Sequence, residues 1–371
     1  MGSYWNRFFL LLPILLLLAA CATPPGINFT RRDFAELPGW DGDDLRDAGA
    51  ALTHGCARLA ARPEWAAACR DLPVDPAQRR AFIMARFRPW QIASGVEAEG
   101  LFTGYYEATL RGSRTAHDQY QFPVYGRPAD LAVAELGLFK PELQGQRITG
   151  RVEGGRFIPY YDRAQIVAAP LRAAPVLLWA DDPVDVFFLQ VQGSGRAQLD
   201  DGSELRLGYA MQNGRPYVAI GRVLKDQGQL PPDGVSMATI RGWLRDHPER
   251  RDAVLNANPS YVFFQPGPEA GPLGAAGTVL TPGRSMAVDR GQIPLGSFLW
   301  LDCDHPDGGQ RLQRLIVAED TGGAIKGPVR GDLFWGYGAA AEALAGKMQS
   351  RGRLYILWPQ GGAPGGKADG G

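Results

Sequence analysis

Three aspartates in the last third of the chain stand where a carboxylate could do acid–base work: Asp289, Asp320 and Asp332. Asp320 ends an apolar run, Leu315 to Ala318, that reads as a buried strand followed by Glu319. A turn-rich stretch around Gly327, Pro328 and Gly331 then delivers Asp332 beside Phe334, Trp335 and Tyr337. An acid among apolar rings is poorly solvated, so its pKa rises, and a raised carboxylate is a general acid near neutral pH. Aromatic faces beside such an acid also suit a sugar ring. The same residues equally fit two turn-capping aspartates and ordinary core aromatics, so further motifs must decide.

Other chemistries find less support. The histidines His54, His117, His247 and His305 are scattered and no C-x-x-C pair exists, so neither a zinc site nor a thioredoxin-type centre is expected. The acidic loop Asp302 to Gly308 lacks the spacing of a calcium loop and reads as a solvated hairpin turn. Gly193-Ser194-Gly195 is not a dinucleotide fingerprint, and there is no G-x-S-x-G elbow. No cofactor and no metal are expected. With 39 basic and 39 acidic residues the formal net charge is zero, which argues against nucleic acid as a partner.

The elements that position these residues follow from composition and pattern. The 48 glycines and 29 prolines of the 371 residues point to many turns and a mainly β architecture. Helices are predicted over Asp43–Ala61, over Glu64–Arg70 and over Asp75–Arg88, with Phe82, Met84 and Phe87 facing the core. Gly100 to Glu107 reads as a strand with a glycine set inside it. From residue 108 to 264, short strands are predicted at Phe122–Tyr125, Val176–Trp179, Val184–Leu189, Arg206–Tyr209, Arg215–Ile220 and Tyr261–Phe264. Ser236 caps a helix that Pro248 terminates. Strands at Thr278–Leu280, Ser285–Val288, Phe298–Leu301, Arg314–Ala318 and Arg353–Trp358 follow, with a helix over Ala339–Met348. Residues 359–371 read as a disordered tail.

The N-terminus resembles a bacterial lipoprotein signal. An apolar run from Phe8 to Ala20 ends in Leu18-Ala19-Ala20-Cys21, the lipobox pattern, which implies removal of residues 1–20 and a lipid on Cys21. Residue 22 is Ala rather than Asp, which favours the outer membrane, periplasmic side. That compartment permits a disulfide, and Cys56 with Cys69 is the expected pair, leaving Cys303 unpaired.

The contexts MAVDR around Asp289, EDTGGAIKG around Asp320 and GDLF around Asp332, preceded by FTGYY at Phe102, VQGSG at Val191 and NPSYVFF at Asn258, together resemble the membrane-bound lytic murein transglycosylase A family. The likeness runs through nearly the whole chain after about residue 30. It implies a double-psi β-barrel built from residues 25–107 and 265–358, the latter a three-aspartate (3D) domain. A second β-rich domain, residues 108–264, is inserted between them. It also implies cleavage of the β-1,4 bond between N-acetylmuramic acid and N-acetylglucosamine in peptidoglycan, with 1,6-anhydromuramyl products. Asp332 would be the catalytic acid and base, with Asp320 and Asp289 shaping the site. Thr103, Gly104, Tyr105, Gln192, Gly193, Ser194 and Trp335 would line the sugar groove. Lys326 would meet a substrate carboxylate, or else be an ordinary solvated lysine. The implied partners are glycan strands, the outer membrane through the lipid and other cell-wall enzymes, around a monomeric chain. The loop carrying Pro328-Val329-Arg330 departs slightly from the pattern in its length.

Two other readings compete. A glycan-binding lipoprotein without activity would keep the groove and tolerate loss of Asp332. An aspartic peptidase would use Asp320-Thr321-Gly322, but it needs a second such turn, and the chain has one. A carboxylate-only site predicts that EDTA leaves cleavage of the substrate unchanged; loss of activity on chelation, restored by a divalent cation, would contradict it.

Overall fold

The computed structural model describes residues 26–231 and 233–365. The expected signal segment, Cys21 and the end of the expected tail, residues 366–371, lie outside the described residues. In chain order, the N-terminal part comprises β1 (Ile27–Arg31), α1 (Gly49–Arg58), α2 (Pro63–Ala68), α3 (Pro76–Arg86), β2 (Phe87–Ser94) and β3 (Gly100–Ser113). The middle part comprises β4 (Phe122–Tyr125), β5 (Ala132–Glu135), β6 (Arg147–Glu153), β7 (Arg156–Pro159), α4 (Arg163–Ala168), β8 (Val176–Ala180), α5 (Pro183–Gln192), β9 (Gly195–Leu199), β10 (Glu204–Gln212), α6 (Ile220–Asp226), α7 (Met237–Asp246), α8 (Pro248–Asn256) and β11 (Val262–Pro266). The last part comprises β12 (Ser285–Val288), β13 (Phe298–Cys303), β14 (Leu312–Asp320), β15 (Arg330–Tyr337), α9 (Gly338–Lys347) and β16 (Gln349–Pro359).

Six strands close on themselves in the order β16–β13–β14–β12–β15–β3 and back to β16. Two of the contacts, β12–β14 and β3–β15, are parallel and the rest antiparallel. A closed barrel leaves no bare edge within it and must bury one face of every strand. Here that face is built from Phe102, Met286, Leu299, Ile316, Leu333 and Ile356, all buried. Outside it, β2 extends the sheet from β16, and β1 from β2. The helices α1 to α3 bring Trp65 edge-on to Phe298 at 5.4 Å. A disulfide joins Cys56 of α1 to Cys69, just past α2, and Cys303 is free and buried.

Strand β3 serves two sheets. It pairs with β15 as far as Glu107, and from Ala108 it pairs with β9. The second sheet runs β4–β8–β3–β9–β10–β11, and a bridge from Gly126 to Phe264 brings its two ends together. Helices α5 to α8 pack beside it around Phe187, Leu224 and Trp243. A separate three-stranded sheet holds β5, β6 and β7.

Several expected elements differ. Val184–Leu189 is not a strand but the body of α5. Asp182 caps it by accepting from the Val184 N–H at 2.7 Å, Pro183 occupies the first turn, and the helix is buried on most sides, so its apolar run shows no alternation. Arg215–Ile220 forms no strand and leads into α6, and Thr278–Leu280 holds only the isolated bridge between Val279 and Leu273. The helix expected from Asp43 begins at Gly49, because Asp43 is spent on a buried ion pair. Pro248 ends one helix and starts the next. Met84 is exposed, whereas Phe87 opens β2 in the core. Pro359 still belongs to β16, and Gln360 bonds back to the Arg86 carbonyl, so the tail begins later than expected.

The N-terminal segment is fastened to the barrel by Asp43. Its carboxylate takes Arg284 Nη1 at 2.6 Å and Nη2 at 2.7 Å, and the Leu315 N–H at 2.8 Å. Burial alone would push this carboxyl up, but Arg284 and the N–H donors outweigh it and hold it below its usual range. Removing one partner of a buried pair strands the other charge, at a cost of about 3–5 kcal/mol. Asp43→Ala is therefore expected to lose about that much stability in urea unfolding at pH 7; a loss below about 1 kcal/mol would contradict the role given to this pair.

Candidate functional site

Strand register assembles the site. Thr103 on β3 is paired with Asp332 on β15, Asp332 with Ala287 on β12, and Ala287 with Asp320 on β14. Residues in register across neighbouring strands present their side chains to the same face of the sheet. Thr103, Asp332, Ala287 and Asp320 thus form one row across four adjacent strands. Ala287, between the two carboxylates in the row, contributes only a methyl group.

The Thr103 hydroxyl donates to Asp332 Oδ1 at 2.6 Å, and Arg330 Nη2 donates to the same hydroxyl oxygen at 2.9 Å. Two residues along β3, Tyr105 donates its hydroxyl to Asp320 Oδ2 at 2.8 Å. The other oxygen of Asp320 accepts the N–H groups of Ala275 and Thr321. Around the two acids lies a buried apolar cluster of Tyr105, Leu280, Ala287, Ile325 and Phe334. Tyr105 and Phe334 pack with ring centres 5.2 Å apart.

This setting decides the protonation of Asp332. Burial pushes its carboxyl up to about 6; the Thr103 hydrogen bond and the Arg330 charge oppose the rise, and Asp320 adds to it. Asp320 is also raised by burial, against the pull of its two N–H donors and Tyr105. The phenol of Tyr105 lies far above its ordinary value through burial and the neighbouring Asp320, so it stays a hydrogen-bond donor. A carboxyl kept partly protonated near neutral pH, as Asp332 is, suits general acid catalysis. Beside Asp320, Glu319 points to the buried side, where His54, Thr278 and Ser285 bond it.

Asp289 plays a different part. Its two oxygens accept the N–H groups of Gly291 at 3.1 Å and Gly327 at 2.9 Å. It fastens the loop between β14 and β15 to the turn after β12. In that loop Ile325 is buried in the apolar cluster, so exposed Lys326 is held between two anchored neighbours.

The remaining expected site residues divide. At the C-terminus of α5, Gln192 accepts the Tyr106 N–H at 3.1 Å, which docks the turn through Gly193 and Ser194 onto β3. Gly193 has φ +81°, a left-handed conformation that closes the helix at little cost only for glycine. Gly104 faces the other side of β3 from Thr103 and Tyr105. A Cβ there would lie 2.6 Å from the Trp335 indole nitrogen and 2.9 Å from Ala345 Cα. Trp335 accordingly lies away from the carboxylates, its indole N–H on Met348 Sδ at 3.3 Å. Tyr337 is exposed beneath Arg196, whose guanidinium sits 3.6 Å from the ring centre. Of the aromatic residues expected around Asp332, Phe334 lies beside it on its face, Trp335 on the other face, and Tyr337, past a bulge, pairs with Glu107 further along β3. Arg330 was not among the expected site residues. Strand alternation gave the signal: it lies two positions before Asp332 and so shares its face.

The chain is similar to known proteins over most of its length. The family model of the "MltA specific insert domain" matches residues 101–265, and that of the "3D domain" matches residues 284–358. The chain is 35% identical over 263 residues to the membrane-bound lytic murein transglycosylase A of Escherichia coli strain K12. That stretch is 69% of this chain and 65% of the relative, so the chain spans just under two thirds of that protein's length. The monoclinic crystal structure of MltA from Neisseria gonorrhoeae superposes with a TM-score of 0.81 at 37% identity, covering 92% of this chain and 97% of that one. The E. coli MltA structure with bound chitohexaose gives a TM-score of 0.68 at 28% identity, covering 91% and 95% of the two chains.

The raised Asp332 makes a stability prediction. Its folded pKa, about 6, exceeds the ordinary value of 3.8, so folding takes up a proton between them and stability falls as pH rises through that window. Asp332→Asn removes the ionised form and keeps an acceptor for Thr103. It is expected to raise Tm at pH 7, with the gain shrinking toward pH 4. An unchanged or lower Tm at pH 7 would contradict the burial assigned to this carboxyl.

Proposed function

The chain belongs to the membrane-bound lytic murein transglycosylase A family, and from that premise we propose that it cleaves the glycan strands of peptidoglycan without water, leaving 1,6-anhydromuramyl ends. The observation that carries this reading is the Asp332 carboxyl, whose pKa burial raises to about 6 beside an apolar cluster. The chitohexaose bound by the E. coli relative is a β-linked sugar chain, which supports a glycan as the ligand.

Protonated Asp332 gives its proton to the glycosidic oxygen as the bond from C1 of N-acetylmuramic acid to the N-acetylglucosamine oxygen breaks. The same carboxylate then takes the proton from the muramyl C6 hydroxyl as that oxygen bonds to C1. Proton and bond count balance with no water consumed, so one carboxylate serves both halves, unlike the paired carboxylates of a hydrolase. The attacking hydroxyl is already part of the sugar, which gives the step the entropic advantage of an intramolecular reaction.

Thr103 holds the carboxylate in one orientation, and Arg330 fixes Thr103. Asp320, oriented by Tyr105 and two backbone N–H groups, adds to the rise that burial gives Asp332. Asp289 positions the loop that presents Lys326, whose free ammonium suits a lactyl or stem-peptide carboxylate. The turn Gln192-Gly193-Ser194 borders the glycan on the side of the inserted domain. A lipid on Cys21 places the enzyme on the periplasmic face of the outer membrane, within reach of the wall.

Mass spectrometry of muropeptides released from purified sacculi tests the reading. Wild type is expected to release anhydromuramyl products, and Asp332→Asn to lose at least about a thousandfold in rate while staying folded. Reducing-end products would indicate attack by water and overturn it. Because the acid must be protonated in the free enzyme, kcat/KM is expected to fall as pH rises through about 6; a rate that climbs across that range would contradict Asp332 as the acid.

A further inference from the structure

The inserted domain holds a cavity of about 360 Å³, enclosed by α4, α5, β8 and the approach to β11. That volume lies in the range of small-molecule sites. None of its lining residues belongs to the row of Thr103, Asp332 and Asp320. Its walls are apolar and partly aromatic, from Phe122, Trp179, Phe187, Ile166 and Pro170. Polar groups interrupt them, among them Arg163, Gln190 and Tyr261.

Arg163 is 4% exposed, yet no carboxylate pairs with it among the described residues. Its Nε donates to the Asn258 carbonyl at 3.0 Å and its Nη2 to the Ser260 carbonyl at 2.6 Å. The rings of Phe187 and Tyr261 lie 4.6 and 5.2 Å from the guanidinium carbon. Burial pulls it down to about 10, so it remains a cation at neutral pH. A buried charge without a counter-charge is costly, and an anion entering the cavity would offset that cost. Gln190 is 5% exposed; its amide meets the Tyr261 hydroxyl, and its Oε1 has no partner among the described residues. A buried acceptor left open calls for an N–H or O–H donor. The acid that lines the cavity, Asp252, is ion-paired with Arg251 and well exposed at the rim, so it does not neutralise Arg163.

We propose that this cavity is a second ligand site, separate from the carboxylate row, which takes a small N-acylated amino acid or a short peptide bearing a free carboxylate. The carboxylate meets Arg163, the amide N–H donates to Gln190 Oε1, and the apolar side chain lies against Phe122, Trp179 and Phe187. The Arg163 contacts also give a purpose to the segment Asn258 to Ser260, which the Asp332 chemistry does not use.

Calorimetric titration of the full-length protein with racemic N-acetylphenylalanine, and in parallel with its uncharged primary amide, tests the site. The acid is expected to bind at least tenfold more tightly than the amide. Ala169→Trp, a change at an exposed position on the cavity lining, fills the cavity and leaves the polar groups in place; it is expected to weaken the acid at least tenfold. Asp332→Asn is expected to bind the acid as wild type does, which separates this site from the one that acts on glycan. Equal binding of acid and amide, binding untouched by Ala169→Trp, or no binding to folded wild type would each overturn the proposal, whatever the outcome with sacculi.

Discussion

The site rests on strand register. Thr103, Asp332, Ala287 and Asp320 share one face because β3, β15, β12 and β14 pair in one particular alignment. A slip of one residue in β15 would carry Asp332 into the barrel interior and turn Leu333 and Trp335 outward. Register is secured where slipping costs most. Leu333, Met286 and Phe102 are buried in the barrel core, and closure of the six strands leaves no free edge along which to shift. The packing that stabilises the barrel therefore also places the acid among Phe334, Ile325 and Leu280, where its ionised form is poorly solvated.

The second constraint is the continuity of β3. One strand carries Thr103 and Tyr105 in the barrel and Ala108 to Gly112 in the inserted sheet. At the crossing, buried Glu107 takes Arg196 Nε at 2.7 Å, and Gln192 bonds the next N–H along the strand, that of Tyr106. The turn after α5 is thereby held against the strand that bears the hydroxyl partner of Asp332. A continuous strand transmits position without a flexible linker, so Thr103 and the turn after α5 keep a fixed relation.

Much of this was legible in the sequence, and the misses have physical causes. The strands at Ser285, Phe298 and Leu315 announce themselves as short apolar runs between turns, and the C-terminal helix over Gly338–Lys347 is bounded by glycine and a change of period. The run Val184–Leu189 did not, because a helix buried on most sides has no polar stripe and is indistinguishable from a buried strand by periodicity. Its Asp-Pro start at Asp182-Pro183 was the available cue. The pattern starts a helix at Asp43, and only the distant Arg284 shows that this carboxylate is engaged elsewhere. Trp335 was drawn toward Asp332 by closeness in sequence, whereas alternation along a strand separates residues three apart onto opposite faces. The same alternation, applied consistently, would have added Arg330.

The central claim is that this barrel holds Asp332 partly protonated near neutral pH. The most direct test is a carbon-13 NMR titration of the aspartate carboxyls in the free protein, with Asp332→Asn used to assign the resonance. A midpoint of about 6 for Asp332 is predicted. A midpoint at or below about 4, the ordinary value for a solvated aspartate, would contradict the account.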